Sequence, residues 1–189
     1  MSAGERRPRA CGPCSLCCTV LRVDALQKLG GVDCVHQRAA GGCAIHPRRP
    51  DVCRAYRCLW LGGGLRDDDR PDRLGAVLDL VTRGASTWLE IREARPGAFE
   101  RSPRLREIAE SFRETMPVRI ADAADVLDPE RRFRVLLPDG EERRVEGEWT
   151  TVLAPGRPAL RVRLPRLERW LRRVQLGWRR RRLSGYRGA

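Results

Sequence analysis

From residue 74 onward the apolar positions first alternate and then cycle. Ala76–Val81 and Thr87–Glu93 are rich in β-branched, aliphatic and aromatic residues and flank a turn containing Gly84, which predicts two strands. Ser102-Pro103 then has the form of a helix start, with Ser at the N-cap and Pro at the first helical position. Leu105, Ile108, Ala109, Phe112 and Met116 follow at i, i+3, i+4, i+7 and i+11, one apolar helical face that ends at Pro117. Val118–Ala121 and Phe133–Leu137 predict further strands. Pro138-Asp139-Gly140 predicts a turn, and Arg144–Leu153 the strand that returns from it. Leu160, Val162 and Leu164 alternate with Arg161 and Arg163 as a short half-buried strand. After Pro165, Leu167, Trp170, Leu171, Val174 and Trp178 share one helical face while Arg166, Arg169, Arg172 and Arg173 crowd the rest. Arg179–Arg182 and a disordered end are expected to follow.

Residues before 65 behave differently. They are rich in Gly and Pro and show neither period, so they cannot bury much apolar surface without a staple. The pattern therefore divides the chain into an irregular segment at 11–64, a mixed strand and helix layer at 65–156 packed with it, and a basic tail at 157–189 with an amphipathic helix. The fold class expected is α+β. The middle segment reads as core alone: it contains no His, no Cys and no Gly-rich phosphate loop.

Composition sharpens this division. The chain has 189 residues, 41% hydrophobic and 33% charged. No stretch approaches the roughly 18 apolar residues of a membrane helix. The opening MSAGERRPRACGPC lacks the apolar segment of a secretory signal, which predicts a cytoplasmic, reducing setting. The formal net charge is +13, and the tail alone carries twelve arginines against the single acidic Glu168. Of the 38 basic residues, only Lys28 is a lysine.

The cysteines change the picture most. All eight (Cys11, Cys14, Cys17, Cys18, Cys34, Cys43, Cys53 and Cys58) precede residue 59. Cysteines serving as small core hydrophobes would scatter along the chain. In a reducing compartment, clustering points to metal binding or catalysis before disulfides. In Cys11-Gly-Pro-Cys14-Ser-Leu-Cys17-Cys18, cysteines two residues apart can place two thiolates on one ion. If a helical turn begins at Pro13, Cys14, Cys17 and Cys18 share a face. Cys17 and Cys18 are adjacent, so their side chains are expected to diverge and one of them to serve a second site or remain free.

The second arm runs from Gly42-Cys43 through His46 and Arg49-Pro50 to Cys53 and Cys58. Pro50 predicts a helix start with Cys53 in its first turn, a position that favours the thiolate. Arg49, Arg54 and Arg57 lie close by in sequence and are expected to offset the negative charge of a thiolate-bound metal or cluster and to donate hydrogen bonds to its sulfur. His36 and His46 are spare imidazole candidates. Eight cysteines suffice for two four-ligand zinc sites or for a [4Fe–4S] cluster, and both metals stay open.

CGPCSLCC, then Cys34, then GCAIHPRRPDVCR with RAYRC after it, resembles the bacterial CxxCxxCC cysteine-cluster proteins, usually described as zinc- or iron-chelating. The resemblance covers about residues 11–64, and the LGGGLRDDDRPDRLGAVLDLV that follows is similar to a stand-alone subgroup. It implies Cys11, Cys14, Cys17, Cys18, Cys34, Cys43 and Cys53 as metal ligands, with Cys58 fitting the subgroup. His46 stands where Tyr is common. A related cluster occurs in flagellin lysine N-methylases, but this chain has no counterpart to their additional sequence, and their methyl transfer is not carried over.

Three functions follow as expectations. The first is a metal-binding protein, structural or chelating, with no catalytic constellation. The second is an iron–sulfur enzyme or electron-transfer protein. The third is a module that holds nucleic acid or an anionic membrane surface through 157–189, set against a tail helix that simply packs its Trp170/Leu171 face on the body. Thioredoxin-like chemistry at the CxxC is the weaker option, because no strand precedes Cys11.

Overall fold

The computed structural model describes residues 9–123 and 132–187. Among them, seven strands form one sheet in chain order: β1 (Ala76–Arg83), β2 (Ser86–Glu93), β3 (Val118–Asp122), β4 (Arg132–Leu136), β5 (Glu142–Glu146), β6 (Trp149–Leu153) and β7 (Leu160–Arg163). All neighbours are antiparallel except β2 and β3, which run parallel. A parallel pair needs a crossover. Here it holds α4 (Ala98–Arg101) and α5 (Pro103–Arg113). The architecture is α+β.

The sequence pattern accounts for the first face of this sheet. Ser102 caps α5, its hydroxyl accepting the Leu105 N–H at 3.2 Å, with Pro103 at the first helical position. Leu105, Ile108 and Ala109 of α5 are buried against Ala76 and Leu78 of β1, Leu89 and Ile91 of β2, and Val118 and Ile120 of β3. Each fully buried Leu or Ile contributes about 1.5–3 kcal/mol. The helix ends at Arg113, one turn before the expected Met116.

The opposite face of β1 carries the cysteine-rich segment. Val77 packs there with Val20, Leu16, Leu21, Tyr56 and Cys58. The segment contributes α1 (Leu16–Val20), α2 (Asp51–Ala55) and short 3-10 turns, and α3 (Pro71–Leu74) leads from it into β1. It also covers the free edge of β1, where the Leu59 N–H donates to the Leu78 carbonyl at 2.8 Å. Trp60 and Leu65, from the end of the segment, complete the core on the α5 side.

Two expectations are corrected. Arg144–Leu153 is not one strand: β5 and β6 pair as a hairpin with Glu146 opposite Trp149. Gly147 adopts φ +57°, a left-handed turn conformation that reverses the chain there. Nor is the chain disordered after Arg179–Arg182, as far as Arg187. α6 extends from Arg166 through Arg179–Arg182 to Leu183, which is buried. Arg187 then pairs with the cysteine-rich segment, donating to the Gln27 carbonyl at 2.8 Å and accepting from the Leu29 N–H at 3.1 Å. Residues 188–189 lie outside the described residues.

The acidic run Asp67–Asp69 is more than a turn. Asp69 is buried, takes both prongs of the Arg104 guanidinium from α5 (2.7 and 2.8 Å), and accepts the Arg66 N–H at 3.0 Å. Arg104 holds the Asp69 carboxyl below the usual carboxylate range, against the opposing effect of burial. The ion pair therefore contributes stability above the unfolded-state pKa of about 3.9, and that contribution is lost as pH falls through the depressed native value. Asp69→Asn is expected to lower unfolding free energy by about 2 kcal/mol near neutral pH, with the gap to wild type closing in acid. Denaturant titrations at several pH values measure this, and a gap independent of pH would contradict the assignment.

Candidate metal centre

The first cysteine arm is a turn followed by a helix. Cys11–Cys14 is closed by the Cys14 N–H donating to the Cys11 carbonyl at 3.0 Å. Ser15 is still non-helical at φ −129°, so α1 begins at Leu16 and not at Pro13. Cys14 thus sits on the turn, while Cys17 and Cys18 ride on α1. The middle loop is tied to this arm by side chains. Gln37 Nε2 donates to Ser15 Oγ at 3.0 Å, and Thr19 Oγ1 donates to Asp33 Oδ1 at 2.7 Å. The Gln37 N–H returns to the Cys34 carbonyl at 3.0 Å, and Gln37 bridges Cys43.

The two arms meet at Gly41. Its φ is +87°, and a Cβ there would lie 2.3 Å from the Pro13 carbonyl oxygen, so a side chain would force the arms apart. The second arm then enters α2 with Pro50 at the N-cap, and the Cys53 N–H donates to the Pro50 carbonyl at 2.9 Å.

These connections bring the cysteines together. Cys11, Cys14, Cys17, Cys18, Cys34, Cys43 and Cys53 line one cavity of about 300 Å³. A smaller adjoining cavity of about 50 Å³ is lined by Cys58 with Cys11, Cys14, Cys17 and Cys53. All eight cysteines are free thiols. Among the described residues, no group of three or more His, Cys, Asp or Glu side chains stands as it would around a metal ion.

The thiols differ in their electrostatic neighbours. Cys53 is pushed up by burial and then by Cys18, Cys34 and Cys43. Cys58 is pushed up by burial, then by Asp79 and Cys11. Burial also raises Cys14, which feels Asp72 and Cys58. For the adjacent Cys17 and Cys18, their mutual interaction pushes the Cys17 thiol up and favours the Cys18 thiolate. Lys28 and Arg49 further favour that thiolate. The expected lowering of Cys53 by its helix is not what the site produces. α2 is one short turn, and burial beside three other thiols outweighs Arg49.

The three arginines named from sequence separate. Arg49 lines both cavities, and its Nη1 approaches His46 Nε2 at 2.7 Å. Its Nε is buried and has no hydrogen-bond partner in the protein. Arg54 pairs with Asp51, Arg57 donates to the Leu61 carbonyl at 3.4 Å, and neither lines a cavity. His36 and His46 both line the larger cavity.

Comparison with protein-family models, curated proteins and solved structures gives no match to this chain. The resemblance to the CxxCxxCC proteins therefore rests on its motifs and their spacing, and the site has to be argued from its own residues.

Two contributors were not singled out from sequence. The sheet supplies one wall: Tyr56 donates to Asp79 Oδ2 at 2.6 Å, and Asp79 and Arg92 line the larger cavity. Burial pushes the Asp79 carboxyl up, opposed by the Tyr56 hydrogen bond and by Arg92. The other is Lys28, whose side chain is fully buried. Its ammonium donates to the carbonyls of Thr19 (3.1 Å), Leu21 (2.7 Å) and Leu29 (2.9 Å). All three ammonium protons are used, and two of the acceptors lie at the C-terminal end of α1, the helix that carries Cys17 and Cys18. Burial lowers the Lys28 pKa, while Cys34 and Cys18 pull it back up. Its signal in the sequence is its rarity: it is the one lysine among 37 arginines. A planar guanidinium fork cannot direct three protons from one nitrogen to three separate carbonyls as an ammonium does.

Lys28→Met is expected to lower unfolding stability by about 3 kcal/mol, because three buried carbonyls lose their donor. Lys28→Arg should recover little of it. Thermal or denaturant unfolding measures both, and wild-type stability in the Met variant would contradict this role.

Proposed function

We propose that this chain is a cysteine-ligated metal protein of a reducing, cytoplasmic setting, with its metal held between the two cysteine arms and Cys34. The observation that carries the reading is the convergence of seven thiols on one cavity beside Arg49, whose buried Nε faces no protein acceptor. An anionic metal–thiolate group is the chemistry that suits such a donor.

The donor set fits Zn²⁺ or a [4Fe–4S] cluster, each of which takes four cysteines. The electrostatic neighbours support two sets of four: Cys11, Cys14, Cys17 and Cys58, and Cys18, Cys34, Cys43 and Cys53. Occupation draws the thiols of a set inward, as in sites where metal binding and folding are coupled. The role assigned is structural or chelating, in the manner of the CxxCxxCC proteins it resembles. The strand and helix layer supports the site.

Anaerobic purification with elemental analysis and a visible spectrum tests the reading. Stoichiometric zinc in colourless protein, or iron and sulfide with broad brown absorbance, supports it. Cys14→Ser and Cys43→Ser should each remove about half of the metal, one variant for each set. Exhaustive chelation should make residues 11–64 sensitive to protease. Protein without metal, or with metal unchanged in both variants, would overturn the assignment.

A further inference from the structure

α6 is attached to the body by the side opposite its apolar face. At about 100° per residue, Leu167, Trp170, Leu171, Val174 and Trp178 occupy one arc, and Arg169, Arg172, Leu176 and Leu183 lie across the helix from it. The second side is the one that is held. Arg169 donates to Glu148 at 3.1 Å, Arg172 donates to the Gly147 carbonyl, and Leu183 is buried. Arg173 and Arg163 also reach Glu148, so the β5–β6 turn and the edge strand grip the helix through one carboxylate. The expectation that the Trp170/Leu171 face packs on the body is thereby reversed. Trp178 is 75% exposed, Leu167 66% and Trp170 58%, and Leu171 and Val174 are also exposed.

A row of five exposed apolar side chains marks an interaction surface. Its surroundings select the partner. The segment from 157 carries twelve arginines against Glu168, so a second copy of this chain would set like charges against each other across the apolar row. Duplex nucleic acid would take up the arginines, but its paired and stacked bases leave nothing to cover two tryptophans, two leucines and a valine. An anionic bilayer surface satisfies both. Lipid phosphates and carboxylates neutralise the arginines, and the acyl boundary accepts the apolar row with tryptophans at headgroup depth. No described helix is long and apolar enough to cross a membrane, so α6 would lie in the surface plane. We propose that the outward face of α6 is a docking surface for anionic membranes, with Leu167, Trp170, Leu171, Val174 and Trp178 inserting and the flanking arginines reaching headgroups. This stands independently of the metal reading.

Flotation of the full-length protein with vesicles tests it. Vesicles of phosphatidylserine and phosphatidylcholine should bind at least about tenfold more tightly than phosphatidylcholine alone, with binding weakened by salt. Trp170→Ser with Trp178→Ser should weaken binding to the anionic vesicles by about tenfold or more while leaving circular dichroism unchanged. Trp178→Ser alone, at the most exposed position, should give a smaller loss in the same direction. Three results would overturn the proposal: no binding to anionic vesicles, equal binding by the double variant, or a dimer in solution that the double variant dissolves. Duplex DNA bound more tightly than anionic vesicles, and equally by the double variant, would assign the arginines to nucleic acid instead and also overturn it.

Discussion

Crowded thiols impose the constraint around which the first third of this chain is organised. Burial alone disfavours a thiolate, and each thiolate that forms disfavours the next. Cys14, Cys53 and Cys58 all carry that penalty. Positive charge at the right place offsets it. At Cys18 the neighbouring Cys17 thiol favours the thiolate most, and Lys28 and Arg49 supply positive charge beside it. Lys28 can remain buried and charged because all three of its protons are occupied by carbonyls that α1 and the following loop leave free. The same residue thus ends a helix and charges a site. A metal would complete the compensation by taking the place of thiol protons.

The remaining structure gives this arrangement something rigid to stand on. An irregular segment rich in glycine and proline cannot hold eight cysteines in register by itself. β1 provides the platform: Val77 supports α1 from below, Asp79 fixes Tyr56, and the edge carbonyl of Leu78 receives Leu59. The other face of the sheet is packed by α5, whose Arg104 reaches Asp69 and secures the exit from the cysteine-rich segment. The chain end closes the assembly, since Arg187 pairs with the backbone on both sides of Lys28. Tail and site are mechanically continuous although their proposed partners differ.

Much of this was legible from local pattern. The α5 face, its Ser102 cap, the β1–β2 hairpin and the turn at Pro138-Asp139-Gly140 follow from periodicity and turn chemistry, and the structure has them. Arg144–Leu153 misled because Val145, Trp149 and Val152 suit a strand on either side of the reversal, and Gly147 is the lone local mark of it. The orientation of α6 was not legible. An amphipathic face says that something apolar covers it, but Glu148, a residue on a distant turn, decides which side meets the body. At the site, cysteine spacing indicates which residues gather but not which thiols become neighbours. Arg49, Arg54 and Arg57 look equivalent in sequence, yet only Arg49 lines the cavities, while Arg54 is taken up by Asp51 and Arg57 by the Leu61 carbonyl. Lys28 and Asp79 reach the site through contacts that no motif records.

X-ray absorption at the metal edge of anaerobically purified protein bears most directly on the central claim. The expected first shell is sulfur, at about 2.3 Å for zinc, filled by cysteine thiolates from both arms. A shell of oxygen and nitrogen, or the absence of any metal edge from protein with all eight thiols intact, would contradict it.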